Sequence, residues 1–119
     1  MLAESPQNAD VLVTLRSFDA ALQSAPAHDV EVILAFLAIT TAERVKEGLV
    51  SPAEADRLFT LIDVHLTDSK RAQELSEEAL DLITEGEHFE HYGEAYGTDL
   101  ERLQQLARTI LRPAHPQQP

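Results

Sequence analysis

Residues 47–54 read Glu-Gly-Leu-Val-Ser-Pro-Ala-Glu, a segment that predicts the end of one helix and the start of another. Gly48 suits the left-handed conformation that ends a helix, and Leu49 follows where an apolar contact back onto that helix is expected. Ser51 can cap the next helix, the proline after it fits the first turn, and Glu54 completes a capping box. We therefore expect a tight helix–turn–helix hairpin.

Helical patterns extend from this hairpin towards the N-terminus. The second helix, over about residues 29–47, begins with an almost wholly apolar stretch, which favours a position at the centre of a bundle. Residues 30–39 also fit a buried strand, but no other segment alternates with a period of two, so a helix is preferred. The first helix is predicted to start with Ser5 as its cap and Pro6 in its first turn, and to end before Pro26.

The C-terminal part of the chain contains one more helix and a tail. The last helix is predicted to begin with Thr98 as its cap, and Glu101 completes a capping box. Its apolar residues recur at spacings of three and four: Leu100, Leu103, Ala107 and Ile110. Residues 113–119 contain three of the six prolines and are expected to form a flexible, disordered tail.

Between residues 52 and 85, two apolar stripes leave the continuity of the third and fourth helices open. One unbroken helix would be about 50 Å long at 1.5 Å per residue, which is too long for a compact domain of this size unless it dimerises. No glycine or proline enforces a break, but polar residues 67–69 could cap a new helix. We expect a break near these three residues.

The composition fits one small helical domain. The 119 residues include no cysteine, so disulfides, thiol catalysis and cysteine metal sites are excluded. The large apolar side chains suffice for one core without a covalent or metal staple. We expect an all-α fold, an antiparallel bundle of four to five helices within residues 1–112.

The charge of the chain limits its partners. Its 21 acidic residues against 9 lysines and arginines give a formal net charge of −12, which repels phosphates and argues against direct nucleic-acid binding. The same charge favours a basic protein partner. The longest apolar run, residues 32–39, is far shorter than the ~20 residues of a membrane span, and the N-terminus does not resemble a signal peptide. A cytoplasmic protein is expected.

A run of carboxylates follows the predicted break. From residue 74 to residue 101 the chain has ten acidic residues and no lysine or arginine. Five of these acids share one face of the predicted fourth helix, opposite its apolar stripe: Glu74, Glu77, Glu78, Asp81 and Glu85. Three interpretations remain open, namely a solvated outer face, a docking face for a basic partner, and a cation site.

Residues 86–97 read Gly-Glu-His-Phe-Glu-His-Tyr-Gly-Glu-Ala-Tyr-Gly, and they form a long connection between two helices. Loops of about this length without secondary structure of their own are uncommon and often functional. One or two helical turns are expected over residues 87–92. The aromatic residues of the loop are predicted either to cover one end of the bundle or to anchor a partner: Phe89, Tyr92 and Tyr96.

The same loop offers candidate metal ligands. Helical geometry would bring Glu87, His91 and Glu94 to one face, and Glu85 with His88 has the Glu-x-x-His spacing of di-iron bundles. Only half of a di-iron set is present, because the chain has no second Glu-x-x-His pair. These five residues are therefore the candidates for a divalent metal such as zinc, nickel, manganese or iron.

No motif in the chain points to a particular reaction. There is no glycine-rich phosphate loop and no serine in a nucleophile-elbow context. We therefore expect a protein–protein interaction or regulatory module without a cofactor, which binds a basic protein and could form a homodimer. The alternative is a metal-binding helical bundle that uses residues 85–94 and could be an enzyme. We expect a protein without catalytic activity rather than an enzyme.

Overall fold

The protein is all-helical in the computed structural model, which describes residues 9–94 and 97–112. Within these ranges, residues 9–14 and Glu90 are described by their backbone alone. The described part of the chain contains no strand and five α-helices: α1 (Ala9–Ser24), α2 (Ala27–Lys46), α3 (Pro52–Ser69), α4 (Glu77–Gly86) and α5 (Leu100–Leu111). Two short 3₁₀ turns, Ala72–Glu74 and Phe89–His91, flank α4. The expected all-α bundle is therefore confirmed.

Helix α2 lies at the centre of the bundle, as its apolar sequence predicts. It packs most extensively against α5 and α1, and it also contacts α3 and α4. Its buried residues occur along nearly its whole length: Val30, Leu34, Ala35, Leu37, Ala38, Thr41, Ala42 and Val45. The hydroxyl of Thr41 donates to the carbonyl oxygen of Leu37 at 2.7 Å, so the polar group is satisfied inside the core.

The α2–α3 hairpin forms as the sequence predicts. Gly48 has φ +78°, and the N–H of Leu49 donates to the carbonyl of Arg44 at 2.8 Å, which closes the end of α2. At the start of α3, Ser51 Oγ accepts from the N–H of Glu54 at 3.1 Å, and Glu54 Oε1 accepts from the N–H of Ser51 at 3.0 Å.

One contact in this hairpin differs from the prediction. Leu49 is 45 % exposed, and the next residue, Val50, is the one that enters the core, with 1 % exposure. Once Gly48 has reversed the chain, Leu49 points away from the bundle and Val50 points into it. The apolar residue after Gly48 that packs in the core is therefore Val50, and the contact predicted for Leu49 is wrong.

The predicted break between α3 and α4 is confirmed at Ser69. Lys70 follows in the left-handed conformation, with φ 61°, and ends α3. The new helix starts later than predicted, because Ser76 and not residues 67–69 provides its cap. Ser76 Oγ accepts from the N–H of Ala79 at 3.2 Å. Leu75 is still buried, although it precedes α4.

The predicted cap of α5 is wrong by one residue. Asp99 is the cap, since its Oδ1 accepts from the N–H groups of Glu101 and Arg102 at 3.0 and 3.3 Å. The hydroxyl of Thr98 instead donates to the carbonyl oxygen of Glu85 at 2.7 Å. Thr98 is nearly buried, so it links the loop to the end of α4 rather than capping α5.

Both predicted ends of the domain lie outside the described residues. This applies to Ser5 and Pro6 at the expected start of the first helix, and to the expected flexible tail over residues 113–119. Across the part that is described, none of the helices has the length and apolar character needed to cross a bilayer.

Candidate functional site

Helix α4 is held on α2 by its first residues. Glu31 of α2 accepts from the N–H of Ser76 at 2.7 Å and from its hydroxyl at 3.0 Å. Because Ser76 also caps α4, one carboxylate fixes both the position and the start of this helix. The apolar side of α4 faces the core through Ala79, Leu82 and Ile83, and the opposite side faces outward.

The prediction that five carboxylates share one face of α4 is wrong for Glu74, which lies outside the helix, and Glu85 lies in α4 but makes contacts within the protein. Glu74 lies in the turn before α4, where its Oε1 accepts from Arg71 Nη2 at 2.8 Å and from Arg71 Nε at 3.0 Å. Glu85 is in α4, but its Oε1 lies 3.4 Å from Arg102 Nε and its Oε2 accepts from the N–H of Asp99 at 2.9 Å. The carboxylates of both acids therefore already have partners within this chain.

The other three acids do form an outward surface. Glu77, Glu78 and Asp81 are exposed, and Leu80 among them is 36 % exposed. Within residues 9–94 and 97–112 none of the three carboxylates has an ion-pair partner. We call Glu77, Glu78, Leu80 and Asp81 the α4 surface.

Phe89 does not belong to any surface. Its side chain is fully buried, and its ring centroid lies 5.8 Å from that of Phe59 in α3. Tyr92 is 40 % exposed with its ring 6.4 Å from Phe89, whereas Tyr96 lies outside the described residues. Phe89 therefore packs within the bundle, in line with the prediction that the aromatic residues cover one of its ends. A buried ring cannot anchor a partner in this fold.

Two glycines of the loop are required by close packing. A Cβ atom on Gly86 would lie 2.3 Å from the ring of Phe59, so only glycine lets the end of α4 approach α3 this closely. A Cβ atom on Gly97 would lie 1.8 Å from the carbonyl oxygen of His91. The expected helical turn in the loop is present as the 3₁₀ turn Phe89–His91.

The five candidate metal ligands do not share one environment, and only His91 and Glu94 lie together among those that the structure describes. Glu85 contacts Arg102, Glu87 faces α3, and His91 Nδ1 lies 3.6 Å from Glu94 Oε2. His88 is exposed. Over the described residues no group of three or more histidine, aspartate and glutamate side chains is arranged to hold a metal ion. The predicted metal site stays a prediction, and the geometry does not add to it.

Glu87 shares its surroundings with two carboxylates of α3. Burial, followed by the nearby carboxylates of Asp63 and Asp56, raises the pKa of Glu87 from 4.5 to about 7. One oxygen of Asp56, Oδ1, is buried without a hydrogen-bond partner in the described structure. These three groups form an acid cluster that holds a proton near neutral pH, which the sequence does not reveal.

A second polar feature, also missed from the sequence, is a cleft between α1 and α3. The cleft has a volume of about 570 Å³ and is lined by Asp19, Leu22, Gln23, His65, Asp68, Ser69 and Arg71. His65 Nδ1 lies 3.3 Å from Asp19 Oδ1. The spacing of His65, Asp68 and Ser69 places them together on α3, but nothing in the sequence indicates that Asp19 of another helix faces them.

The side chains of this cleft do not form an activated nucleophile. Ser69 Oγ donates its proton to the carbonyl oxygen of Leu66 at 2.7 Å, so the hydroxyl does not donate to His65. Arg71 Nη1 donates to the carbonyl oxygens of Ala21 and Leu22, both at 3.2 Å, and so closes the end of α1.

Comparisons of this chain with models of protein families, with curated proteins and with solved structures found no significant match.

Proposed function

We propose that this chain is a cytoplasmic protein–protein interaction module, and that its α4 surface docks a basic, amphipathic segment of another protein. The observation that carries the proposal is the exposure of Glu77, Glu78 and Asp81 around Leu80 without cationic partners in the described structure. A segment with lysines or arginines around one apolar residue would be complementary in both charge and hydrophobicity.

The surrounding charge supports this choice of partner. The net charge of −12 attracts a basic segment over a distance, while the three carboxylates supply local contacts. Two copies of the α4 surface would repel each other, so the expected homodimer would have to use another face. The α4 surface is therefore assigned to a different protein.

Binding can be tested with a defined probe, a synthetic amphipathic helix of lysine and leucine residues that carries a fluorophore. Glu77→Gln, Glu78→Gln and Asp81→Asn are combined in one variant. Exposed ion pairs contribute about 0.2–1 kcal/mol each, so this variant should weaken binding by about tenfold in low salt. Fluorescence anisotropy in low and high salt measures the loss, and the affinity of the unmodified protein should fall as salt rises.

A matched control removes the same charge elsewhere. Asp29→Asn, Glu43→Gln and Glu101→Gln together change three exposed acids on α2 and α5. This control should change the affinity by less than about twofold, because only long-range attraction is reduced. Equal losses in both triple variants would mean that the overall charge, and not the α4 surface, binds the probe. Leu80→Ser adds a test without any charge change and should also weaken binding.

A further inference from the structure

We draw no further inference here: the strongest candidate, the outward face of α2 on which Phe36 is 54 % exposed between the half-buried Val32 and Thr40, carries nothing because nothing in the structure shows what covers it.

Discussion

Glu87 is the residue in which local packing most clearly controls chemistry. Gly86 lies against the ring of Phe59, because a Cβ atom there would be 2.3 Å from that ring. This contact places the next residue, Glu87, beside Asp63 and Asp56 on the same side of α3. Burial and the neighbouring carboxylates disfavour the charged form of Glu87, so the cluster retains a proton near neutral pH.

The stability of the protein should therefore depend on the protonation of Glu87. Its pKa rises on folding from 4.5 to about 7, so the folded state binds the proton more tightly than the unfolded state does. The stabilisation is fully present below about pH 4.5 and is lost as the pH rises through about 7. Glu87→Gln, which stays neutral, should be more stable than the unmodified protein above neutral pH.

Chemical denaturation at several pH values measures this effect as the difference between the two proteins. The difference in unfolding free energy should grow from about pH 4.5 to about pH 7 and then level off. Glu77→Gln, on the exposed face of α4, is the control and should show no such step. A flat difference for Glu87→Gln would show that Asp63 and Glu87 do not share a proton. Asp63→Asn should make the step smaller without abolishing it, because burial of Glu87, the largest cause of its raised pKa, and the carboxylate of Asp56 remain.

At the scale of elements, the break between α3 and α4 determines the shape of the bundle. Lys70 ends α3 in the left-handed conformation, with φ 61°, and Arg71 then joins the turn Ala72–Glu74 to the end of α1. A left-handed non-glycine residue costs about 1–2 kcal/mol, so the break is maintained by the contacts around it rather than by Lys70 itself. Those contacts are made by Arg71 and by Glu31 at Ser76.

A glycine at position 70 tests whether this residue ends α3 in the left-handed conformation. Lys70→Gly removes the conformational strain but increases the freedom of the unfolded chain, and the net change should be from zero to about 1 kcal/mol of added stability. The matched variant Arg57→Gly places the same residue inside α3 and should cost about 1 kcal/mol. Urea denaturation compares the two. A loss of about 1 kcal/mol for Lys70→Gly as well would indicate a continuous helix through residue 70.

At the scale of the whole molecule, α2 connects all the other helices. Leu34 is fully buried in α2, whereas Phe36, two residues later, is 54 % exposed. Leu34→Ala should reduce the free energy of unfolding by about 2–5 kcal/mol, because it leaves a cavity where α2 meets its neighbours. Phe36→Ala should change it by less than about 0.5 kcal/mol, although it removes the larger side chain.

Thermal and urea unfolding, followed by circular dichroism and by tyrosine fluorescence, test this expectation. Both probes should report one cooperative transition, since each helix packs on α2 and none has a core of its own. A large loss for Phe36→Ala would mean that this residue is covered in the folded protein. Two separate transitions would contradict a single core around α2.

Much of the fold follows from the sequence alone. The hairpin at Gly48 and Ser51, the central position of α2 and the break after α3 depend on backbone sterics, capping and apolar spacing, which act within a few residues. The errors at Leu49 and Thr98 have the same kind of cause. In both places two adjacent residues suit one local role, and the choice between them depends on a partner from a distant part of the chain.

Fewer features of the candidate site than of the fold can be predicted from the sequence. Local spacing identified Glu77, Glu78 and Asp81 as one exposed face, because all three lie in one regular helix. Tertiary structure placed Glu74 in the turn before α4 and paired the carboxylates of Glu74 and Glu85 with Arg71 and Arg102. It also buried Phe89 against Phe59 of α3.

Interactions between residues close along the chain specify that it forms helices and where most of them end, and its composition alone makes it acidic. The packing of the helices specifies which acids are neutralised, which share a proton, and that Asp19 meets His65 across a cleft. Electrostatic interactions depend on distance through space, and the distance between two helices is set by how their side chains pack.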